Sequence, residues 1–262
     1  MSKELNAVQP EEKKAAKPTK KVNKKKRKRI KRWIRFLVFL AVCTGIFFFI
    51  RSPYFNVKTV EVEGNSHFTI SQIKAIADIE IGANMLRTEY DYAKEALMAD
   101  PYIRLAEVKR VFPDTIKITV AERTEYAAVP YGIQYIVIDD EAMVLKVTEE
   151  LPYLPLLGGM SITDMTPGKP LGVEQSYSLT EALNLVAAME DGDLYFKRIE
   201  INKVKVKAYI YDELYCEGTA ENIKNGIEQI RSVLEKMYSE NITRGVLHVE
   251  DDNYITYSPK ID

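Results

Sequence analysis

Fifteen consecutive uncharged residues at positions 36–50 follow directly on a block of basic side chains, and this run constrains the fold more than any other stretch. Trp33, Ile34 and Arg35, whose long stem can carry its charge to the interface, extend the run to 18 residues. At ~1.5 Å per residue that is about 27 Å of helix, just enough to cross a hydrocarbon layer. Lys24, Lys25, Lys26, Arg27, Lys28, Arg29, Lys31 and Arg32 precede it, and no acidic residue occurs between positions 13 and 60. The positive-inside bias places the N-terminus in the cytoplasm and Trp33 among the headgroups on that side. A cleaved signal peptide has the same order of regions, but cleavage needs small residues after the apolar core. Here the core ends Phe47-Phe48-Phe49-Ile50-Arg51, which reads as an uncleaved anchor. The basic tail lacks the interleaved aromatics of a nucleic-acid binder and reads as a topology signal that also contacts anionic lipid.

The charge balance then separates two regions. Residues 1–51 hold 16 basic and three acidic side chains, leaving 21 basic against 35 acidic in the remaining 211, so the net charge of -1 hides a cationic anchor and an anionic outer part. All 16 tyrosines lie in that outer part, which has the size and apolar content to bury a core of its own in one or two domains. Cys43, in the apolar run, and Cys216 cannot bridge if the run spans a membrane. Cys216 reads as a small packed hydrophobe.

Periodicity organises the outer part. Val57, Val60 and Val62 form a strand ending at the Gly64-Asn65 turn, and Thr69 with Gln72 makes a capping box ahead of the helical stripe Ile70, Ile73, Ile76 and Ala77. A second helix is expected to open at Thr88, carry Tyr92, Ala93, Ala96 and Leu97 on one face, and stop at Asp100-Pro101. A hairpin follows, with Ala106 and Val108 alternating against Glu107 and Lys109, a Pro113-Asp114 turn, and Ile116, Ile118 and Val120 returning. The order is β-α-α-β-β. Beyond Glu122 the pattern is mostly β, including 135–138, 143–147 and 203–211, with Pro- and Gly-rich punctuation over 152–172. Two helices interrupt it, at about 179–189 and as one continuous element over 219–238, both with apolar stripes of core type. Gly245-Val246-Leu247-His248-Val249, the acidic turn Glu250-Asp251-Asp252-Asn253 and 254–257 make a terminal hairpin.

Nothing in the sequence assembles a catalytic constellation. His67 and His248 are the two histidines, neither has a Cys or His at ligand spacing, and nucleophile-elbow, zincin and phosphate-cradling motifs are lacking. Asp139-Asp140 and Asp251-Asp252 fall in turns, where aspartate serves the backbone. Distant carboxylates acting together on glycan strands are the one enzymatic alternative. No catalytic, cofactor-binding or metal-binding residue is expected, and no small-molecule substrate. Asn241-Ile242-Thr243 fits a glycosylation sequon and reads as a chance match.

The motifs do resemble a known family. A basic tail and single span precede Val60-Glu61-Val62-Glu63-Gly64-Asn65. Then come Val108-Lys109-Arg110-Val111-Phe112-Pro113-Asp114-Thr115-Ile116 and Val120-Ala121-Glu122-Arg123. Together these are similar to the FtsQ/DivIB bacterial cell-division proteins, and 57–123 looks like their POTRA domain. Asp139 opens a turn that family also has, with Ala142 where glycine is usual. Pro155-x-Leu157-x-Gly159 and Gly168-Lys169 also fit, whereas the family's acidic-x-Arg-Tyr pattern is missing from Leu247-His248-Val249-Glu250.

The resemblance implies an α+β protein: a basic cytoplasmic tail (1–32), a transmembrane helix (33–51), a POTRA domain (55–124), a mainly β mixed domain (125–258) and a short tail (259–262). It further implies a non-enzymatic division scaffold at the septum, with its C-terminus outside the membrane, that holds FtsB/DivIC-like and FtsL-like partners and helps regulate septal peptidoglycan synthesis. In that family the partner adds beside the last strand, which directs attention here to Val249, Tyr254, Ile255, Thr256 and Tyr257. The alternating strand and its acidic turn suit a basic or amphipathic partner segment. A POTRA-type chaperone or translocation role is the alternative reading.

Overall fold

A computed structural model describes residues 24–202, 205–251 and 254–259. Most of the basic tail, the Asp252-Asn253 part of the last turn and 260–262 lie outside the described residues. The chain divides into two compact units, Met1–Ser52 and Pro53–Asp262.

The first unit is the helix α1 (Lys24–Ile50), which starts within the basic block and continues through the apolar run. From Arg29 to Ile50 it is long and apolar enough to cross a membrane, and every side chain over that length is exposed. Bare apolar rings and branches of this number are stable only in a non-aqueous surrounding, which is consistent with membrane anchoring.

The second unit begins with a 3-10 turn at Pro53–Phe55 and then β1 (Thr59–Glu63), α2 (Ile70–Ala77), α3 (Asp91–Met98), β2 (Ile103–Val111) and β3 (Thr115–Glu122). The strands form a sheet ordered β1-β3-β2, with β1 parallel to β3 and β2 antiparallel to it. Gly64 ends β1 at φ 83, where a Cβ would lie 2.1 Å from the Val120 carbonyl oxygen, so glycine is required. Both halves of the Thr69–Gln72 capping box form. The second helix begins at Asp91 and not at Thr88: Thr88 spends its amide and its hydroxyl on the Asn84 carbonyl, which closes a separate turn before the helix. Ile73, Met85, Leu97, Ile116 and Ile118 fill the core between the helices and the sheet.

The remainder is built on a nine-stranded sheet ordered β14-β13-β12-β11-β10-β7-β4-β5-β6. Its strands are β4 (Ala127–Tyr131), β5 (Gln134–Ile138), β6 (Val144–Thr148), β7 (Leu156–Gly158), β10 (Arg198–Asn202), β11 (Lys205–Tyr211), β12 (Leu214–Gly218), β13 (Gly245–Val249) and β14 (Ile255–Ser258). β8 (Ile162–Asp164) and β9 (Gly172–Val173) pair separately. Helices α4 (Ser176–Asp191), α5 (Ala220–Asn225) and α6 (Ile227–Ser239) bury their stripes against the sheet, with Leu185, Phe196, Ile199, Leu214, Ile230 and Leu247 at the centre. The helix expected over 219–238 is two helices broken at Gly226. That residue lies at φ -92, ψ 8, closes α5 through its amide and opens α6 through its carbonyl. Ile223 and Ile227, four residues apart, both reach the core across the break, as they would on one face of a continuous helix, so 3.6-residue periodicity does not reveal the interruption. Because β12 and β13 are parallel neighbours, the α5–α6 pair is the crossover that joins them.

Candidate functional site

The terminal hairpin forms as expected, and β14 is the last strand of the large sheet: among the described residues it pairs only with β13. The register sets Val249 opposite Ile255, His248 opposite Thr256, Leu247 opposite Tyr257 and Val246 opposite Ser258. Glu250 donates its amide to the Tyr254 carbonyl at 2.9 Å, which makes 250/254 a hydrogen-bonded pair. Antiparallel ladders alternate, so Thr256 bonds inward to His248, whereas the amides and carbonyls of Ile255 and Tyr257 point to the open edge. An extended segment laid there would find these groups spaced for strand addition.

The side chains of the five candidate residues divide sharply. Val249 is 3% exposed and belongs to the core, so it supports the edge from behind. Ile255 is half-buried and packs on the same core. Tyr257 donates its hydroxyl to the Arg244 carbonyl at 2.9 Å, and its ring lies over Gly245, where a Cβ would come within 2.5 Å of it. Thr256 sits half-buried on the opposite face of the sheet, and Tyr254 is the most exposed of the set. The edge therefore offers backbone groups flanked by Tyr254 and Thr256, with Ile255 and Tyr257 holding the strand in place. Sequence reasoning placed Gly245 and His248 in the hairpin but left out Arg244 and gave none of the three a partner on the last strand, because only the β13–β14 register supplies it. At the hairpin's turn end the Asn222 amide holds Asp251 at 3.1 Å, so part of the acidic turn is fixed.

A second cluster joins the two sheets. Asp139, wholly buried, accepts hydrogen bonds from the amides of Glu141 and Met143 and from Arg123. Arg123 also reaches Glu141 at 2.9 Å, and Arg104 bonds the same carboxylate. Burial opposes the Arg123 charge, but the hydrogen bonds and charges of Asp139 and Glu141 outweigh it and hold its pKa above the ordinary value. Beside this cluster Tyr102 donates to Glu125 at 2.7 Å, Lys146 of β6 pairs with Glu125 at 2.6 Å, and His67 stacks on Tyr102. Two further side chains brace the first sheet. Glu122 accepts the amides of Ser66, His67 and Phe68, and Arg110 donates to the carbonyls of Met85 and Thr88, both at 2.9 Å.

Neither cluster has the form of a reaction centre. Among the described residues no three His, Cys, Asp or Glu side chains gather as metal ligands would. Cys216 is buried in the core, and burial pushes its thiol up to about 12, which keeps it protonated and inert.

The FtsQ-type POTRA domain family matches residues 55–123. Beyond that segment the chain is similar to named proteins over most of its length. It is 24% identical to the cell division protein DivIB of Clostridium acetobutylicum, covering 74% of this chain and 79% of the relative. It is 23% identical to DivIB of Clostridium botulinum, covering 80% and 85%. It is 27% identical to the cell division protein FtsQ of Syntrophotalea carbinolica, covering 77% and 72%. Residues 55–123 thus form an FtsQ-type POTRA domain, and over most of its length the chain is similar to cell division proteins named DivIB and FtsQ.

The residues that carry the FtsQ/DivIB resemblance are thus architectural in this chain. Arg110 and Glu122 tie loops of the POTRA domain to its sheet, and Arg123 joins that sheet to the turn at Asp139. Ala142, where the family usually has glycine, takes φ 63, the left-handed conformation that glycine adopts freely. None of these residues lies on β14.

Proposed function

We propose that this chain is a single-span scaffold of the cell-division machinery, with residues 1–32 in the cytoplasm, the span at 33–51 and the rest outside the membrane. On this reading the POTRA domain occupies 55–124 and the mainly β domain 125–258. The open edge of β14 takes up an extended segment of an FtsB/DivIC-like partner, with an FtsL-like protein in the same assembly, and the assembly helps regulate septal peptidoglycan synthesis. Relatives named as cell division proteins support the division role. The observation that carries the docking site is the outward direction of the Ile255 and Tyr257 backbone groups on an edge with no neighbour among the described residues. Such a scaffold acts by holding partners, and no chemical step is asked of it.

The test compares Ile255→Pro with Ile255→Val in co-purification of the full chain with the FtsB/DivIC-like partner. Proline removes one outward amide and leaves the β13 ladder intact, whereas valine keeps the amide. Loss of the partner with proline alone is the expected result; equal recovery with both variants refutes edge docking. A fluorescent fusion at the N-terminus checks the wider role. Mid-cell signal is expected, and uniform membrane signal would return the chain to the alternative of a general POTRA-bearing envelope protein.

A further inference from the structure

The parallel pairing of β1 with β3 has a consequence for the β2–β3 turn. Because Thr59 lies opposite Thr115 and the Lys58 amide bonds the Asp114 carbonyl at 2.8 Å, the turn sits where the chain enters the domain. The loop between α2 and α3 comes to the same end, since the Val57 amide bonds Ala83 at 2.9 Å and the Met85 amide bonds Phe55 at 2.9 Å. This end carries apolar surface the fold does not use. Phe112 is 60% exposed, Tyr54 57% and Val111 43%, and Leu86 lines the same depression as Phe112. The Phe112 ring stands edge-on to Phe55 at 6.2 Å, and Phe55 stands edge-on to Tyr54 at 5.2 Å, so the aromatic residues form one patch.

Covalent length indicates what covers it. Helix α1 ends at Ile50, and a four-residue step to Tyr54 reaches at most about 14 Å however it is extended. We infer that the β2–β3 turn and the aromatic patch beside it rest on the outer surface of the bilayer, with Phe112 among the headgroups. The inference rests on the reading that α1 spans the membrane. Aromatic rings at a membrane surface bury their faces at the acyl boundary while polar neighbours stay wet. Here the neighbours are the Lys58–Asp114 ion pair and the exposed Lys109. Contact of this kind would hold the POTRA domain in a set orientation to the bilayer, where a four-residue tether alone would let it swing.

The chain has a single tryptophan, Trp33, which makes the test direct. The full chain is placed in nanodiscs whose lipids carry bromine high on the acyl chains, and tryptophan emission is compared for three proteins: the natural chain, Trp33→Phe/Phe112→Trp, and Trp33→Phe/Tyr238→Trp. Tyr238 is exposed on α6 and lies outside the patch. The expected result is loss of emission at 112 comparable to that of Trp33, with a blue shift on reconstitution and neither effect at 238. Quenching at 33 with position 112 behaving like 238 overturns the membrane contact and leaves the anchor reading standing. No quenching at 33 itself removes the anchor reading and the contact with it. A blue shift at 112 that needs added partner protein, without quenching by lipid, assigns the patch to that protein and also overturns the inference.

Discussion

The two edges of the nine-stranded sheet are managed in opposite ways. At β6 the segment after β8 crosses the exposed side. Val144 accepts from the Gly168 amide at 2.8 Å and donates to the Lys169 carbonyl at 2.9 Å, Met143 bridges to Pro170, and Lys146 is held by Glu125. At β14 nothing among the described residues plays that part. An open edge invites association, so a fold usually blunts it with a covering loop or a charge. This molecule uses a turn anchored on buried Asp139 and an ion pair at one edge, and among the described residues the other has no such cover; that asymmetry is what supports the proposal of β14 as the docking strand.

The sharpest way to break the comparison is to dismantle the closed edge. Asp139 organises the turn from which Met143 and Val144 meet the covering segment, and Asp139→Ala would leave half-buried Arg123 with Glu141 alone and two amides without their carboxylate. A loss of about 3–5 kcal/mol is expected, read as a lowered urea midpoint. Exchange of the 168–171 amides should rise with it. A variant within about 1 kcal/mol of the natural protein would show that the turn does not depend on the pair.

Proline substitution sharpens the contrast at the open edge. Thr256→Pro removes an amide bonded to β13 and should lower the thermal midpoint markedly, whereas Ile255→Pro removes an outward one. The second should cost about 1–2 kcal/mol in partner affinity, roughly tenfold, with a smaller effect on melting. If the two prolines destabilise the free protein equally, the assigned ladder alternation is wrong.

A smaller effect is expected from pH at the guarded side. Burial raises the Glu125 carboxyl, but hydrogen bonds from Lys146 and Tyr102 prevail and hold it below its ordinary value of 4.5. A carboxyl depressed on folding contributes stability that is complete above 4.5 and is lost as the pH falls through the folded value. The drop in melting temperature between neutral pH and pH values below 4.5 should therefore be less for Glu125→Gln than for the natural chain. Equal drops would remove Glu125 from the acid response.

The smallest predicted change is a gain. Ala142 holds φ 63, so Ala142→Gly should relieve left-handed strain, offset in part by the greater freedom of unfolded glycine. A net stabilisation of up to about 1 kcal/mol is expected in denaturant unfolding.

Much of the POTRA domain was legible in the sequence because its signals are local. The Thr69–Gln72 box, the alternation of 106–120 and the Pro113-Asp114 turn each act within a few residues. The start of α3 was misplaced by three residues because Thr88 is a good cap in isolation, and its preference for the Asn84 carbonyl is a matter of loop geometry. The break at Gly226 escaped for a related reason: an apolar stripe carries the same period across a short interruption. In the candidate site the hairpin could be seen, but the division of its side chains could not. Val249 and Tyr254 look equally available in the sequence, and only the tertiary structure puts the first in the core cluster that includes Ile223 and Ile230 while the second stays exposed.

By itself the sequence determined the apolar helix, the charge division between the two parts and the β-α-α-β-β order. These depend on composition and on spacings of a few residues, which chain stereochemistry converts directly into local structure. Tertiary structure alone decided the strand order β14-β13-β12-β11-β10-β7-β4-β5-β6, the pairing of Arg123 with Asp139, and which backbone amides of the last strand face outward. Each is a contact between residues that are distant in sequence or set by register. A one-residue shift in register would reverse every side chain and every amide, and sequence patterns of short strands carry too little information to fix it.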